Sequence, residues 1–296
     1  MTSIKYPDKI QEKISLIEAA NGAGLFIGPL LGGIIYEISY FWTPFFIFTT
    51  ASILMLPCMK RSFTADLDRV DERDPNHAEI GYIQLLRNKR VFFAAVGQFF
   101  NLIIFTVGQP IFGPRLTHEY GLGSFWVGAC FALPTLFYVI TGPIILPLLT
   151  KAFEKRATMM VGFFLLAISA FLVGPSKILG MPSESAPIMI VGLCIIGTGA
   201  AFTVIPVIPE MLDSTKDKYN GQQSEVSDKF SAIFNIAGGI GQIVGPTSSG
   251  LLNDSVGFNL TFDVIGIALL SFNIIYIVFC GGFGSIGRSF RASMLR

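Results

Sequence analysis

Eight apolar segments, each long enough to cross a lipid bilayer as a helix, run through this chain with two charged residues inside them, Glu18 and Asp263. They lie near residues 14–36, 42–59, 91–112, 125–149, 157–175, 188–209, 230–252 and 260–280. A spanning helix takes about 20 residues. A soluble fold would have to place eight fully apolar helices in one core with nothing left to cover them. Only 14% of residues are charged and 52% are hydrophobic, where a soluble domain carries about 25% charged. The expected class is therefore all-α, a multi-pass integral membrane protein of eight transmembrane helices whose first partner is the lipid bilayer.

The connections give this reading a direction. With the N-terminus placed inside, the inner segments hold 19 of the 21 Lys and Arg residues, and the outer loops keep only Arg115 and Lys177. That asymmetry follows the positive-inside rule and predicts that both termini are cytoplasmic. The outer loops, 37–41, 113–124, 176–187 and 253–259, are short. A glycosylation sequon, Asn259-Leu-Thr261, falls on the outer side, too close to the membrane for modification. The longest inner connection, 60–90, mixes Asp66, Asp68, Asp71, Glu72, Asp74 and Glu79 with basic residues around Pro75 and reads as a solvated linker. A net charge of +1 gives no argument for nucleic acid. The four cysteines lie in apolar stretches without a C-x-x-C pair, so neither zinc nor a disulfide framework is indicated. No cofactor and no catalytic constellation is expected.

Two glycine-rich stretches match at a shift of 217 positions: Gly22, Gly24, Gly28, Pro29 and Gly33 fall on Gly239, Gly241, Gly245, Pro246 and Gly250. Glycines four residues apart clear one helix face so that another backbone approaches closely. Gly24, Gly28, Pro29, Gly32 and Gly33, with Gly241, Gly245, Pro246 and Gly250, are accordingly read as a helix-packing motif in two copies. Prolines at 110, 134, 143, 147, 206 and 209 mark candidate breaks, as expected where a membrane helix borders a binding site or gate.

Polar residues in hydrocarbon are costly and face the protein interior or a water-filled cavity. The third segment carries Gln98, Asn101 and Gln109 near one stripe with Phe105, the fourth offers Tyr138, and the seventh carries Asn235 and Gln242. These six are the candidate solute contacts. The competing reading is hydrogen bonding between helices. Glu18 lies well inside the first segment and is the candidate proton- or cation-coupling residue, with a structural acid as the alternative. Asp263 lies near an outer end, where water is expected to reach it.

Two helices, a long charged inner linker and six further helices resemble the last eight of the twelve helices of the major facilitator superfamily. The motif Gly24, Gly28, Pro29, Gly32, Gly33 matches the antiporter motif of that family's fifth helix, and Gly241, Gly245, Pro246, Gly250 a decayed copy in its eleventh. Tyr6-Pro7-Asp8-Lys9 is similar to the approach to that helix in drug:proton antiporters and vesicular amine-type transporters. The resemblance implies an incomplete major facilitator fold. Residues 1–59 would be the last two helices of the N-terminal bundle, 60–90 the cytoplasmic linker and 91–296 the six-helix C-terminal bundle. It further implies alternating-access transport of a small organic solute, of cationic type where aromatic side chains line the path, by proton-coupled antiport. The host would be a plasma or intracellular vesicle membrane, and a partner would supply the four absent helices. The alternative is a non-transporting relic or structural membrane subunit.

Overall fold

The computed structural model describes residues 10–62, 80–145, 154–182, 185–219 and 222–280, with side chains at all of these except 10–22, 25, 59–62, 223 and 224. Every regular element among them is a helix: α1 (Ile10–Ile38), α2 (Thr43–Ser62), α3 (Tyr82–Leu86), α4 (Lys89–Thr106), α5 (Gln109–His118), α6 (Ser124–Ile144), α7 (Lys155–Val173), α8 (Ala186–Val204), α9 (Val207–Thr215), α10 (Gln223–Val256) and α11 (Phe258–Phe279). Residues 63–79 of the expected linker lie outside the described residues.

Each of the eight apolar segments is largely helical where it is described, residues 146–149 of the fourth lying outside the described residues. Five described stretches are long and apolar enough to cross a membrane: Lys89–His118, Ser124–Ile144, Lys155–Val173, Ala186–Thr215 and Phe258–Phe279. Within α1 and α2, the residues with described side chains include the apolar runs Phe26–Ile38 and Thr43–Cys58. The thirty-four residues of α10 fall below that hydropathy because its apolar positions alternate with Ser, Asn, Gln and Gly and both its ends are charged. This is the composition of an integral membrane protein.

Two of these stretches are broken where prolines were expected to act. Lys89–His118 divides into α4 and α5 just before Pro110, and Ala186–Thr215 divides into α8 and α9 at Pro206. A proline cannot donate the next backbone hydrogen bond, and the chain restarts as a helix at Gly108, whose carbonyl accepts from Ile111 N at 3.2 Å and Phe112 N at 2.8 Å. Pro134 and Pro143 sit inside a continuous α6 and Pro246 inside a continuous α10. Pro147 lies outside the described residues.

The chain forms two compact units. The first comprises Met1–Glu79 and Leu122–Ala132, the second Ile80–Gly121 and Leu133–Arg296.

In the first unit, α1 meets the opening turns of α6. The Phe125 amide donates to Glu37 Oε2 at 2.8 Å, placing a carboxylate at a helix N-terminus, where unpaired amides and the helix dipole favour negative charge. A Cβ at Gly33 would stand 2.6 Å from Ser124 O, and one at Gly128 would strike the Pro29 carbonyl. This is therefore a contact that only glycine permits. Tyr40, Phe41, Trp42, Phe45 and Phe46 are all exposed at the start of α2, with Tyr40 and Trp42 stacked at 6.3 Å. Such a cluster suits a membrane–water boundary.

In the second unit, α4 is the core helix: α7, α8, α9, α10 and α11 all pack against it. The seams are built from small residues facing larger ones. A Cβ at Gly97 would meet the Phe163 ring of α7 at 2.5 Å, and one at Gly162 would meet Thr203 Cγ2 at 2.7 Å and Gly199 O at 3.0 Å on α8. Aromatic rings fill the space between α7 and α11, with Phe163 edge-on to Phe272 at 5.0 Å and to Tyr276 at 5.5 Å. Without a hydrophobic force between helices in lipid, this interlocking supplies the packing energy. Gly257, with φ of 84°, makes the turn from α10 into α11 in a conformation other residues rarely adopt.

Candidate functional site

The contacts of α4 fix which way its polar stripe points. Toward α10 it presents Phe99, Leu102, Ile103 and Thr106. A Cβ at Gly241 would lie 2.5 Å from Phe99 O, and one at Gly245 would strike Thr106 Oγ1. Toward α8 it presents Asn101, whose Oδ1 accepts a hydrogen bond from Thr203 Oγ1 at 3.1 Å. Gln98 and Phe105, seven residues apart, fall on the line between these two contact edges.

Along that line the six assigned residues separate into two groups. Gln98 is 5% and Asn101 3% exposed, so both are held within the bundle rather than on an open wall. Asn101 joins two helices, as the interhelical reading of such residues has it. Gln98 Oε1 has no hydrogen-bond partner, while its Nε2 lies 3.3 Å from where a Cβ would stand on Gly238 of α10. Gly238 is flanked on its own helix face by Asn235 and Gln242, three residues before and four after, and both are exposed. Gln109, the first residue of α5, is also exposed. Tyr138 is half-buried, packed on Ala201 and Phe202 of α8. α10 thus presents a face on which Asn235 and Gln242 are open beside the Gly238 that meets Gln98, while Gln109, exposed at the start of α5, and Tyr138, on α6 against α8, stand on other helices. A hollow of about 410 Å³ between the end of α9 and the start of α10 lies elsewhere, lined by Asp213, Thr215, Lys216, Tyr219 and Ser227 among others. None of the six lines it.

The two glycine copies behave differently along their length. Gly241 and Gly245 touch α4, and Gly33 touches α6 within the first unit, but a Cβ at Gly24, Gly28, Gly32 or Gly250 meets nothing within 4 Å. The close-packing role assigned to the whole motif therefore holds, among the described residues, for its members that face another helix. The side chain of Glu18 lies outside the described residues, although its backbone belongs to α1.

One expectation is overturned. Asp263 is 0% exposed, not water-accessible, and neither carboxyl oxygen has a hydrogen-bond partner among the described residues. Its place in the first turns of α11 is near an end, as its position in the sequence indicates. The packing of α11 against the bundle nevertheless seals it off.

The sequence reading also missed a charged cluster. Glu210, assigned to an inner loop, belongs to α9 and is 3% exposed. Its Oε1 accepts from Arg90 Nε at 2.7 Å and lies 3.5 Å from Arg156 Nε. Arg156 in turn donates to the Cys280 carbonyl at 3.0 Å. One carboxylate thereby ties α4, α7 and the end of α11 to α9, and Lys155 pairs with Asp213 beside it at 2.5 Å. The signal was present: Val207, Met211 and Thr215, the buried residues of α9, recur at four-residue spacing around Glu210 and continue the helix past the proline.

Comparison with known proteins bears on what such a face does. The family model for the Major Facilitator Superfamily matches residues 6–227. Proteins described as MFS-type transporter SLC18B1 are similar to the chain. The Homo sapiens protein is 25% identical over 279 residues, covering 90% of this chain and 57% of that protein. The Rattus norvegicus protein is 25% identical over 269 residues, covering 88% and 56%. The chain therefore spans a little over half the length of the curated relatives it matches.

Proposed function

Because the chain belongs to the Major Facilitator Superfamily, we propose that it takes part in moving a small organic solute across the membrane by alternating access, with protons as the counter-flow. The observation that carries this reading is the α10 face, where Asn235 and Gln242 are exposed beside the buried Gln98 of α4, with Gln109 exposed at the start of α5. Amides exposed at membrane depth lack partners in lipid, so a solute or water in a cavity is what they are built to meet. They offer hydrogen bonds in both directions and no fixed charge. Phe105 and Tyr138 beside them suit a cationic solute through the faces of their rings. The relatives' description as transporters supports the same class.

In this reading Asn101 holds α8 to α4 behind the face and does not touch the solute. Glu18 exchanges the coupling proton. The end of the second unit carrying Arg90, Arg156 and Glu210 is cytoplasmic, as are both termini. A partner supplying further helices completes the path.

The test is solute protection. Single cysteines replace Gln109, Asn235 and Gln242 in a chain whose native cysteines are changed to serine, and each is labelled by a membrane-impermeant thiol reagent in liposomes. Organic cations should slow labelling at all three together and leave Lys177→Cys, exposed in the connection before α8, unchanged. Uniform labelling with and without every solute tried would remove the reading.

A further inference from the structure

Asp263 combines three properties that the solute face does not use. It is 0% exposed, neither oxygen has a partner among the described residues, and it stands in a membrane-spanning helix. An ionised carboxylate isolated in this way is strongly disfavoured, and acids retained inside membrane helices pair with a cation. The cation to hand is Arg115 on α5. Its guanidinium side chain is 8% exposed and lies over the Phe258 ring at 4.1 Å. It pairs with Glu119 at 3.0 Å and donates through Nη1 to Asn259 Oδ1 at 3.4 Å.

Asn259 precedes Asp263 by four residues, one helical turn or about 6 Å along the axis. The two therefore share a face of α11, and Arg115 is already bound to one end of it. The segment carrying Arg115 is also set apart from the core helix. α5 is separated from α4 by the break at Val107–Gly108 and contains Pro110 and Pro114. Of the other charged groups at this end of the unit, Glu119 is half-exposed and bound to Arg115. Lys177, Asp254 and His118 are exposed. α7, the helix packed along α11, contributes no charge to this end.

We propose that Arg115 and Asp263 are the two halves of a latch: in a second conformation of α5, Arg115 leaves Asn259 and Glu119 and pairs with Asp263 one turn deeper. The present structure is the unlatched state. The Asn259 amide holds the arginine at the mouth of the site, and the buried carboxylate waits without a partner. One-turn exchanges of this kind are a known form of bistable helix packing. Under the transport reading, on which this inference rests, the latch closes the outer end of the second unit during the cycle.

Crosslinking tests the pairing without requiring transport. In the serine-replaced chain in liposomes, Arg115→Cys is combined with Asp263→Cys, and separately with Asn259→Cys as the pair this structure already joins. Both pairs should be bridged by a short bifunctional thiol reagent. Bridging of 115 to 259 but never to 263 overturns the latch, and bridging of neither overturns the placement of Arg115 on α11. Uptake then tests its role. Arg115→Gln and Asp263→Asn should each slow uptake about tenfold and the double variant no further, the signature of one shared interaction. Asp263→Asn should meanwhile unfold at the same or a higher temperature than the parent, since an unpaired buried charge has been removed. Additive losses in uptake overturn the latch. Bridging of 115 to 263 in a chain with no uptake keeps the pair and removes only the transport role.

Discussion

Glu210 and Arg90 meet at 2.7 Å through the guanidinium Nε and at 2.6 Å through Nη2, so a carboxylate on α9 is gripped side-on by the first turn of α4. Both nitrogens reach Oε1, a charge-assisted contact shorter than a neutral hydrogen bond. Arg156 approaches the same oxygen from α7. The pair closes one end of the second unit and fixes α9 after the break at Pro206.

Glu210→Ala leaves two cations with no shared anion. With the glutamate side chain 4% exposed but Arg90 30% exposed, the loss falls below that of a fully buried pair, and the variant should be destabilised by about 2 kcal/mol. Glu210→Gln should be intermediate. Thermal unfolding in detergent measures both. A Glu210→Ala protein as stable as the parent would mean that the arginines find water at no cost.

The two groups of polar residues should separate in experiment. Asn101→Leu and Thr203→Val each remove one side of a buried hydrogen bond and should cost about 1–2 kcal/mol, with the double variant costing less than the sum. Asn235→Ala and Gln242→Ala, on an exposed face, should leave the unfolding temperature within error and instead weaken solute binding. The reverse pattern would exchange the roles of the two groups.

Much of this was readable before any coordinates, and the unread part has a physical cause. Apolar length is a local property, so the eight helices could be placed from the chain alone. The breaks were readable only as candidates: the chain parts at Pro110 and Pro206, while Pro134 and Pro143 stay inside a continuous α6. Which side of a helix meets another helix is not local. Gln98, Asn101, Asn235 and Gln242 look alike as sequence, and only the contacts of α4 with α8 and α10 divide buried from open. The same holds for the glycines: Gly28 and Gly245 occupy equivalent motif positions, yet one faces open space and the other Thr106. Asp263 was misjudged because position near a helix end was taken for exposure.

The glycines give a graded series. Gly241→Ala and Gly33→Ala would place a methyl 2.5 Å and 2.6 Å from backbone oxygens, forcing helices apart at a cost of about 1–3 kcal/mol. Gly28→Ala meets nothing within 4 Å and should be neutral or stabilising by up to about 1 kcal/mol, since alanine is the better helix former. Equal loss in all three would mean that the open side of Gly28 is filled in the membrane.

Asn259 should remain unglycosylated even though it heads a sequon. It is 6% exposed, and its Nδ2, the atom a glycan would occupy, donates to Pro175 O at 2.8 Å. Expression in a glycosylating cell followed by glycosidase treatment checks this. A mass shift that disappears in Asn259→Gln would show that the amide is released from Pro175 before this end of the unit folds.

The most direct measurement is uptake of a fluorescent organic cation by liposomes holding the purified chain, with a pH gradient imposed across the membrane. The account predicts uptake above protein-free liposomes. It should collapse when a protonophore dissipates the gradient, and it should fall in Asn235→Ala and Gln242→Ala vesicles of equal protein content. Uptake no greater than in protein-free liposomes across a panel of organic cations, from a chain that unfolds cooperatively in the same preparation, would contradict it.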